Sequence, residues 1–357
     1  MEKINYSKLK DIDIKNKRVF LRADLNVPLK NKKILQDYKL EKILPTIDYI
    51  LKNNGKIILA THIGRPDAKG HTNFFDESLT TKILVPWFKK KGYRIRYEID
   101  LEKAKILSKE NFDEILLLEN LRFFNGEKGN IQEKEKFANI LKEAADIYVN
   151  DSFALAHRDD TSVTLLSKKF KIKAIGLLVQ KEISELNKIK NNPEQPFLVI
   201  LGGNKLKTKL PLIKNLILKE NNKPSCIIIG GAIAKDMKNE NDLLKKAKEN
   251  NINILLPIDN CKNDIGSKTI ELFIQEINKA KTIFINGTMG IYEKEESQKG
   301  TKEILNAIAN SSVYSVAGGG DCVAAIYMFG LEKEFDFLST GGGATLAYLA
   351  GKKINVL

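Results

Sequence analysis

The sequence predicts an α/β protein of two domains, each built around a parallel sheet. Short continuous apolar runs, such as 57–60, alternate with helical patterns, which is typical of buried parallel strands covered by helices. The runs end in arginines in the first half of the chain and in glycines in the second half. A chain of 357 residues also exceeds one simple core. We therefore expect domains over 1–172 and 173–344, joined by a hinge helix.

The composition is that of a soluble globular protein, with 43% hydrophobic and 29% charged residues. No apolar run is long enough to span a bilayer, and the sequence MEKINYSKLKD at the start lacks an apolar signal region, so we expect a cytoplasmic protein. Three cysteines, Cys226, Cys261 and Cys322, have no CxxC spacing. They are predicted to be small buried residues and not disulfide partners or zinc ligands.

The formal net charge of +14 allows nucleic-acid binding, an acidic substrate or a lysine-rich surface. Lysine is spread through the chain together with abundant Asn and Ile, as in proteins of AT-rich genomes. There is no arginine-rich tail, and the aromatic residues are not interleaved with basic ones. The pattern favours a solvated lysine surface, with neither a nucleic acid nor a membrane as partner.

The first strand lies at the start of 18–29, where Arg22, Asp24 and Asn26 alternate and so share one face or rim. Two ionisable groups and an amide on one face are unusual for a buried sheet. The alternative interpretation is an edge strand with one solvent-exposed face. We favour the interpretation that these three residues have a functional role.

A helix over 39–54, interrupted near Pro45, precedes the strand 57–60, and His62 and Arg65 follow that strand directly. Ligands of parallel sheets bind at the carboxyl ends of the strands. A single histidine is more often structural, but a histidine and an arginine at such an end predict an anion site.

Two further strands in the first half, within 114–127 and 146–160, also deliver an arginine just beyond their ends. Each arginine alone would be a surface residue. Four of them on one side of a parallel sheet would form a basic bowl for a small, multiply charged anion. The four are Arg22, Arg65, Arg122 and Arg158.

The second half follows a connecting helix over 171–192. Its strand segments end in glycines or in Asn-Gly, which suits a polyphosphate held by backbone N–H groups. Lys205 and Lys209 can meet phosphate oxygens, and Asp321 can hold a Mg²⁺ carried by the nucleotide. The segments are 196–210, 225–237, 282–293, 312–326 and 335–351.

The last of these segments, FDFLSTGGGATLAYLAG, organises the prediction. Glycines 341–343 permit close approach of a ligand, and the helix after them directs its unpaired N–H groups at the loop. A merely flexible turn is the alternative for this stretch alone. With a nucleotide on one domain and a small anion on the other, the sequence indicates phosphoryl transfer across a cleft, without the GxxxxGK[ST] or protein-kinase motifs.

The sequence resembles the phosphoglycerate kinase family along essentially its whole length. The resemblance implies two Rossmann-like domains joined by a hinge, with residues from about 345 to 357 returning to the first domain. It also implies phosphoryl transfer between 1,3-bisphosphoglycerate and ADP, giving 3-phosphoglycerate and ATP with Mg²⁺, by a monomer in glycolysis. The matching motifs are RADLNVPL, ATHIGRP, LLLENLRF, VNDSFALAHR, LGGNKLKTK, DIGSKTIELF, NGTMGIYE, AGGGDCVAA and STGGGATLAYLAGK.

The resemblance also assigns roles to individual positions. Phosphoglycerate would be bound by Arg22, Asp24, Leu25, Asn26, Lys39, His62, Ile63, Gly64, Arg65, Arg122 and Arg158. The nucleotide would be bound by Lys205, Lys209, Gly230, Gly231, Asn286, Glu293, Gly319, Gly320, Asp321 and Cys322, with Glu293 at the ribose and Asp321 at the metal. Catalysis would involve Lys39, Arg158, Lys205, Lys209, Gly342 and Gly343, within a loop from Thr340 that cradles the migrating phosphoryl group.

One departure from the family pattern bears on activity: Lys39 stands where the family has arginine. Lysine keeps the charge but loses the planar fork of donors, which predicts reduced turnover. It leaves open a catalytically impaired relative that is kept for nucleotide binding.

Other departures concern the second half and the tail. The segment 257–268 replaces a much longer family segment, so we expect the family's hairpin-like region beside the nucleotide pocket to be missing. Lys262 also replaces a glycine, and together these changes predict looser or different adenine recognition. Few residues follow Gly351, which predicts weaker docking of the tail. Smaller changes are Cys322 for Thr, Thr288 for Pro, and Ala154 and Leu155 for Gly-Thr.

Overall fold

The computed structural model describes residues 6–66, 75–110 and 114–355. The chain folds into two compact units, Met1–Lys181 with Ile354–Leu357, and Glu182–Lys353. Each unit holds its own parallel sheet, which confirms the predicted α/β class. No helix in the described ranges is both long and apolar enough to cross a membrane.

The first unit is built on a seven-stranded sheet in the order β1-β9-β8-β2-β5-β7-β6, with every described pair parallel. The short antiparallel pair β3–β4 lies outside it. The strands are β1 (Ser7–Lys8), β2 (Arg18–Ala23), β3 (Leu29–Lys30), β4 (Lys33–Ile34), β5 (Lys56–Ala60), β6 (Ile95–Glu98), β7 (Ile115–Leu118), β8 (Ile147–Asp151) and β9 (Lys173–Ile175).

Helices cover the two faces of this sheet, and buried apolar clusters separate them from the strands. One cluster includes Val19 and Leu21 of β2, and the other includes Phe20, as the alternation of side chains along a strand requires. The helices are α1 (Tyr38–Lys52), α2 (Val85–Lys90), α3 (Leu101–Lys109), α4 (Ile131–Glu143), α5 (Leu165–Lys168) and α6 (Leu177–Asn191).

Helix α1 corrects the predicted interruption near Pro45, because it runs through this proline without a break. A proline inside a helix removes one hydrogen bond and costs about 3 kcal/mol. Leu40, Ile43 and Ile47 on the same helix are almost fully buried. Their packing outweighs the local penalty, since tertiary burial supplies most of the stability of a helix.

Two other predictions about the first unit need correction. The segment 171–192 is not one helix, because the strand β9 comes first and α6 begins at Leu177. Strand β2 ends at Ala23, so Asp24 and Asn26 lie beyond it in a loop and not on a strand face. A three-residue strand at 173–175 is too short to show a periodic pattern of its own.

The second unit is built on a six-stranded parallel sheet in the order β12-β11-β10-β15-β16-β17. The antiparallel pair β13–β14 forms a separate hairpin. The strands are β10 (Phe197–Leu201), β11 (Cys226–Ile229), β12 (Asn253–Leu255), β13 (Asn260–Cys261), β14 (Asp264–Ile265), β15 (Thr282–Asn286), β16 (Tyr314–Gly318) and β17 (Phe337–Leu338).

Seven helices accompany these strands within the described residues of this unit, in addition to most of α6. They are α7 (Leu206–Leu218), α8 (Ile233–Met237), α9 (Asn241–Glu249), α10 (Ser267–Ile277), α11 (Lys299–Ala309), α12 (Gly320–Met328) and α13 (Gly343–Leu349).

The cysteine prediction is partly wrong. Cys226 and Cys322 are buried free thiols, as expected, whereas Cys261 is exposed. Cys261 lies on β13 of the hairpin, so the shortened segment 257–268 still forms a hairpin, with strands of two residues each. Its turn places Lys262 and Asn263 at positive φ, a conformation that sequence patterns of apolar residues do not reveal.

Candidate active site

The carboxyl ends of the central strands of the first unit lie side by side. Arg22 near the end of β2 pairs in register with Ala60 of β5 and with Asn150 of β8. The loops that follow these strands therefore start at one edge of the sheet. They bring His62 and Asp24 to the same edge, as the sequence predicted from the strand ends.

Arg22 is fully buried, with no exposed area. Its Nε donates to Ser162 Oγ at 2.8 Å, one terminal nitrogen donates to the Ala23 carbonyl at 2.6 Å, and the other lies 3.4 Å from His62 Nδ1. Glu127 Oε1 is 3.8 Å from the nitrogen beside His62. Arg22 is thus held by Ser162 and the Ala23 carbonyl, with one terminal nitrogen beside His62.

His62 is 3% exposed and lies among cationic groups. Burial is the main cause that lowers the pKa of its imidazole well below the ordinary value, and the charges of Arg22, Arg122, Lys39 and Arg158 lower it further. The ring is therefore neutral near pH 7. Three of the four arginines predicted from separate strand ends, Arg22, Arg122 and Arg158, are among these charges, whereas Arg65 is not.

The loop after β2 is tied to Lys39 and to the loop after β5. Lys39 Nζ donates to Asp24 Oδ2 at 2.6 Å, and Asp24 Oδ1 accepts from the Asn26 N–H at 3.2 Å. Asn26 Oδ1 in turn accepts from the Gly64 N–H at 2.8 Å. The side chain of Lys39 is 27% exposed to solvent. Its ammonium is therefore paired with the Asp24 carboxylate and is also accessible from solvent.

The other predicted residues of this loop region differ in exposure. Arg122 is mostly buried and donates to the Gly64 carbonyl at 2.8 Å, whereas Arg65 is exposed. Leu25 and Ile63 are buried in the core, so only their backbone can face a ligand. Arg65 is thus the guanidinium of this set with the freest access to solvent.

Arg158 lies in the loop after β8, and the end of the described chain fixes that loop. Asn355 Nδ2 donates to the Arg158 carbonyl at 2.8 Å, and the Asn355 N–H donates to the Ala156 carbonyl at 2.6 Å. Ile354 beside it is 1% exposed. The short tail therefore anchors the backbone that carries a predicted substrate arginine.

The strand ends of the second unit are also in register, but here they end in glycine and asparagine. Leu201 pairs with Ile229 and with Asn286, and Asn286 pairs with Gly318. The backbones that follow approach closely: a Cβ on Gly231 would lie 2.7 Å from the Gly203 nitrogen. Glycine is required at Gly231, because any side chain would collide with the neighbouring backbone.

A cavity of about 780 Å³ opens beside these glycines. Gly231, Glu293 and Asp321 of the predicted nucleotide residues line it, whereas the other predicted nucleotide positions are not among its lining residues. Its size falls in the range of pockets for small ligands and cofactors, roughly 300–1,000 Å³. The hairpin contributes Asn260 and Asn263 to the same wall.

The two predicted lysines stand at the start of helix α7. Lys205 immediately precedes the helix and Lys209 is 8% exposed on it, with its Nζ 3.9 Å from the position of a Cβ on Gly203. Burial lowers the pKa of Lys209, and the nearby Cys322 and Asp321 partly oppose this effect. An ammonium held in a poorly solvated place binds an anion more strongly than one in water.

Asn286 carries a buried amide next to the third glycine loop, residues 318–320, which follows the loops at 202–203 and 230–231 in the sequence. Its Nδ2 has no hydrogen-bond partner among the described residues and lies 3.0 Å from the position of a Cβ on Gly319. Gly319 has a φ of 95° and directly precedes helix α12, which begins at Gly320. A buried donor without a partner is rare in native proteins, so this amide is poised for a ligand oxygen.

Cys322 lies in the first turn of the same helix and is buried, which raises the pKa of its thiol to about 12. The side chain is therefore a neutral, buried thiol. Only its backbone N–H can bind phosphate directly.

The loop from Ser339 to Gly343 is held by a carboxylate of the connecting helix. Glu182 on α6 is fully buried; its Oε2 accepts from Ser339 Oγ at 2.7 Å, and its Oε1 accepts from the Thr340 N–H at 2.6 Å. Gly342 has a φ of 54° and precedes α13, which begins at Gly343. The position of a Cβ on Gly342 meets open space, so the loop presents bare backbone on that side.

The described residues contain no group of three or more His, Cys, Asp or Glu that could hold a metal ion by themselves. Asp321 is an exposed carboxylate in the first turn of α12 at the cavity wall. Mg²⁺ at nucleotide sites is held by one or two carboxylates together with phosphate oxygens. The residues therefore fit a magnesium ion that arrives with a nucleotide.

Sequence reasoning missed the residues that support the site from behind. Three of these are buried: Glu127, Ser162 and Glu182. Ser162 accepts from Arg22, and Glu127 accepts in turn from Ser162. Glu182 accepts from Ser339 in the loop before α13. A buried Glu within an otherwise apolar helix face, as in α6, is a signal that could have found Glu182. No pattern in the sequence marks Glu127 or Ser162, since both lie outside the regular helices and strands.

A phosphotransferase needs a site for the acceptor anion and a site for a polyphosphate. This α/β chain offers a cationic cluster for the first and a glycine-lined cavity for the second, so its fold and sites define it as a kinase. The family model described as phosphoglycerate kinase matches residues 9–352. The chain therefore belongs to the phosphoglycerate kinase family.

Individual relatives support the same assignment. A phosphoglycerate kinase from Dictyoglomus turgidum is 39% identical over 389 positions, which cover 97% of this chain and 96% of that protein. One from Finegoldia magna is 36% identical over 400 positions, covering 98% and 97%. Both alignments exceed the 357 residues of this chain, so these relatives contain segments that it lacks.

Solved structures agree. The structure of phosphoglycerate kinase from Coxiella burnetii superposes with a TM-score of 0.82 at 28% identity, covering 99% of this chain and 97% of that one. The enzyme from Pyrococcus horikoshii gives a TM-score of 0.80 at 29% identity, covering 98% and 97%. The resemblance and the kinase activity class predicted from the sequence are confirmed.

Proposed function

We propose that this protein transfers a phosphoryl group reversibly between 1,3-bisphosphoglycerate and ADP, giving 3-phosphoglycerate and ATP, as a monomer in cytoplasmic glycolysis. The observation that carries the proposal is the electrostatic environment of His62. Four cationic side chains act on this neutral, buried imidazole. A small ligand with several negative charges neutralises such a cluster best, and a phosphoglycerate is a ligand of this kind.

The first unit would bind the phosphoglycerate. Arg65, Arg122 and Arg158 supply guanidinium donors that match phosphate oxygens in pairs, and Lys39 adds a point charge. His62 adds a neutral N–H donor. Asp24 and Asn26 keep the loop in place through the hydrogen bonds to Lys39 and Gly64.

The second unit would bind the nucleotide. The base and ribose would occupy the cavity, with a ribose hydroxyl donating to Glu293 at its wall. The phosphates would meet the glycine loops, where the Asn286 amide and the backbone N–H groups before α12 offer donors. Asp321 would hold Mg²⁺ bound to the nucleotide, which supplies positive charge to the phosphate oxygens.

Phosphoryl transfer needs little covalent help from a protein, so positioning and charge stabilisation would supply the acceleration. Lys205 and Lys209 would stabilise the charge on the migrating group from the nucleotide side, and Lys39 and Arg158 from the acceptor side. Donors on both units must act on one phosphoryl group. Catalysis would therefore require the units to close and exclude water.

A coupled assay with 3-phosphoglycerate, ATP and Mg²⁺ tests the proposal. We expect turnover that saturates with both substrates and stops when either is omitted. Lys39 in place of the family arginine keeps one alternative open, a relative that binds nucleotide without turnover. Calorimetry with ADP in parallel distinguishes the two, because background turnover together with intact ADP binding would favour the alternative.

A further inference from the structure

A buried carboxylate behind the phosphoglycerate site has no role in the proposed chemistry. Glu127 is 1% exposed, and Ser162 beside it is fully buried. Glu127 Oε1 accepts from Ser162 Oγ at 2.6 Å, and its Oε2 accepts from the Ser162 N–H at 2.9 Å. Each carboxylate oxygen thus has one donor from the same residue, and this fixes the direction of the serine hydroxyl.

The fixed hydroxyl determines how Arg22 is held. Since the proton of Ser162 Oγ is given to Glu127, the oxygen is left to accept from Arg22 Nε, and that distance is 2.8 Å. A second donor of Arg22 is used by the Ala23 carbonyl at 2.6 Å. The guanidinium is therefore locked in one orientation, with its remaining terminal nitrogen beside His62 Nδ1.

The locked guanidinium in turn sets the protonation of His62. A guanidinium can only donate, so His62 Nδ1 at 3.4 Å must be the acceptor and carries no proton. A neutral imidazole then has its proton on Nε2. This places the N–H donor on the ring nitrogen that Arg22 does not occupy.

We propose that Glu127 and Ser162 are positioning residues for the phosphoglycerate site: they fix Arg22 and, through it, hold His62 in the Nε2–H tautomer that donates to the anion. The inference rests on the proposed function only in that His62 meets the substrate. Neither residue touches the substrate itself.

A purely structural role explains the arrangement less well. The pKa of Glu127 is raised to about 7, mainly by burial and also by Asp160, although the charge of Arg22 and the hydrogen bonds from Ser162 lower it. An apolar side chain of similar volume would fill the space without this cost of desolvation. Unlike an apolar side chain, the carboxylate accepts from both the N–H and the hydroxyl of Ser162, and it thereby orients the hydroxyl.

Nitrogen NMR of selectively labelled histidine in the full-length protein tests the proposal directly. The chain has only three histidines, and a His62→Gln sample assigns the resonance of interest. At a pH above the pKa of Glu127, wild-type His62 should show a protonated Nε2 and an unprotonated Nδ1. Glu127→Gln and Ser162→Ala should both shift these resonances toward a mixture of tautomers.

A matched control uses Glu98, another buried carboxylate of the same unit, which ends the edge strand β6 and accepts from the backbone N–H groups of Ile99 and Asp100 just beyond it. Glu98→Gln should leave the His62 resonances unchanged. In the coupled assay, Glu127→Gln and Ser162→Ala should raise the KM for 3-phosphoglycerate by roughly tenfold, the loss expected for a misplaced hydrogen bond to a charged ligand, with the KM for ATP unchanged.

A wild-type His62 with its proton on Nδ1 overturns the proposal, and this result needs no variant. Unchanged His62 resonances in Ser162→Ala overturn it as well, even if Glu127→Gln does not fold. A protein that shows the expected tautomer and its loss in the variants but no turnover would contradict the proposed function and leave the positioning role intact.

Discussion

The two units differ in the groups they offer to the anions that we propose they bind. The first unit uses side chains, and several of them are buried and held by other side chains, as Arg22 is held by Ser162 and Glu127. The second unit uses mainly backbone, with Gly231, Gly319 and Gly342 at positive φ along the ends of parallel strands. Both sites lie at the carboxyl edge of a parallel sheet, where the topology places loops together.

The difference follows from what each ligand requires. A small acid with charges at fixed positions is matched by guanidinium groups in fixed orientations, which need support from behind. A chain of phosphates is matched by successive N–H groups, which glycine exposes without any supporting side chain. The first site should therefore be sensitive to changes in buried polar residues, and the second to the addition of a single Cβ.

The largest effect is expected at Lys209, the one predicted catalytic residue of the second unit that acts through a buried side chain. Lys209→Met keeps most of the apolar stem and removes the ammonium. Turnover should fall by about a hundredfold to a thousandfold, the loss seen when one preorganised donor is removed. The coupled assay measures it, and Lys207→Met, an exposed lysine on the same helix, serves as the control.

A smaller effect is expected from one methyl group at the third glycine loop. Gly319→Ala places a Cβ 3.0 Å from Asn286 Nδ2 and forces alanine to a φ of 95°. A strain of about 1–3 kcal/mol corresponds to a rise of roughly tenfold or more in the KM for ATP. The KM for 3-phosphoglycerate should stay the same.

Gly330 offers a matched control for that strain. It has a φ of 71°, and a Cβ there meets no atom within 4 Å. Gly330→Ala should lower the thermal midpoint without changing either KM. If both variants change the KM for ATP equally, the backbone of the third loop is not part of the nucleotide site.

Lys39→Arg should raise kcat by several-fold, because a planar fork adds a charge-assisted hydrogen bond of roughly 1.5–3 kcal/mol that the ammonium cannot make. Part of this gain is lost if the arginine stays paired with Asp24, as Lys39 is now at 2.6 Å. Steady-state kinetics of the two proteins at equal concentration measure the change. A kcat at or below that of the wild type would contradict the role given to this position.

The smallest effect concerns stability between about pH 4.5 and pH 7, where two buried groups of the first unit oppose each other. The pKa of Glu127 is raised from 4.5 to about 7, so its contribution to stability is lost as the pH rises through this window. The pKa of His62 is lowered below 6.5, so its contribution is lost as the pH falls. Urea unfolding of Glu127→Gln should therefore show stability that rises with pH here, steeper than in the wild type.

Much of the fold and of the site could be predicted because buried parallel strands are recognisable in the sequence as continuous apolar runs. Polar residues directly after such a run mark the carboxyl end of the strand. His62, Lys39 and Arg158 were singled out in this way or through the family motifs, and in the structure the charges of Lys39 and Arg158 act on the neutral His62 ring. Residues at the strand ends of the second unit were found from their glycines. The pairing of strands in register explains why residues far apart in sequence meet.

The remaining features depend on tertiary packing, which a single sequence does not display. Pro45 continues α1 only because the helix buries one face, and Arg22 points inward only because Ser162, 140 positions away, accepts its Nε proton. The hairpin at 260–265 is set by a turn at Lys262 and Asn263 with no apolar alternation on either side. These are contacts and turn conformations that periodicity cannot report.

We propose that the first unit binds 3-phosphoglycerate and the second unit binds the nucleotide. Calorimetric titration of each ligand into one variant of each unit tests this most directly. We predict that Arg65→Ala loses affinity for 3-phosphoglycerate and binds ADP as the wild type does, while Lys209→Met loses affinity for ADP and binds 3-phosphoglycerate normally. An Arg65→Ala protein that keeps 3-phosphoglycerate binding and loses ADP binding would contradict the account.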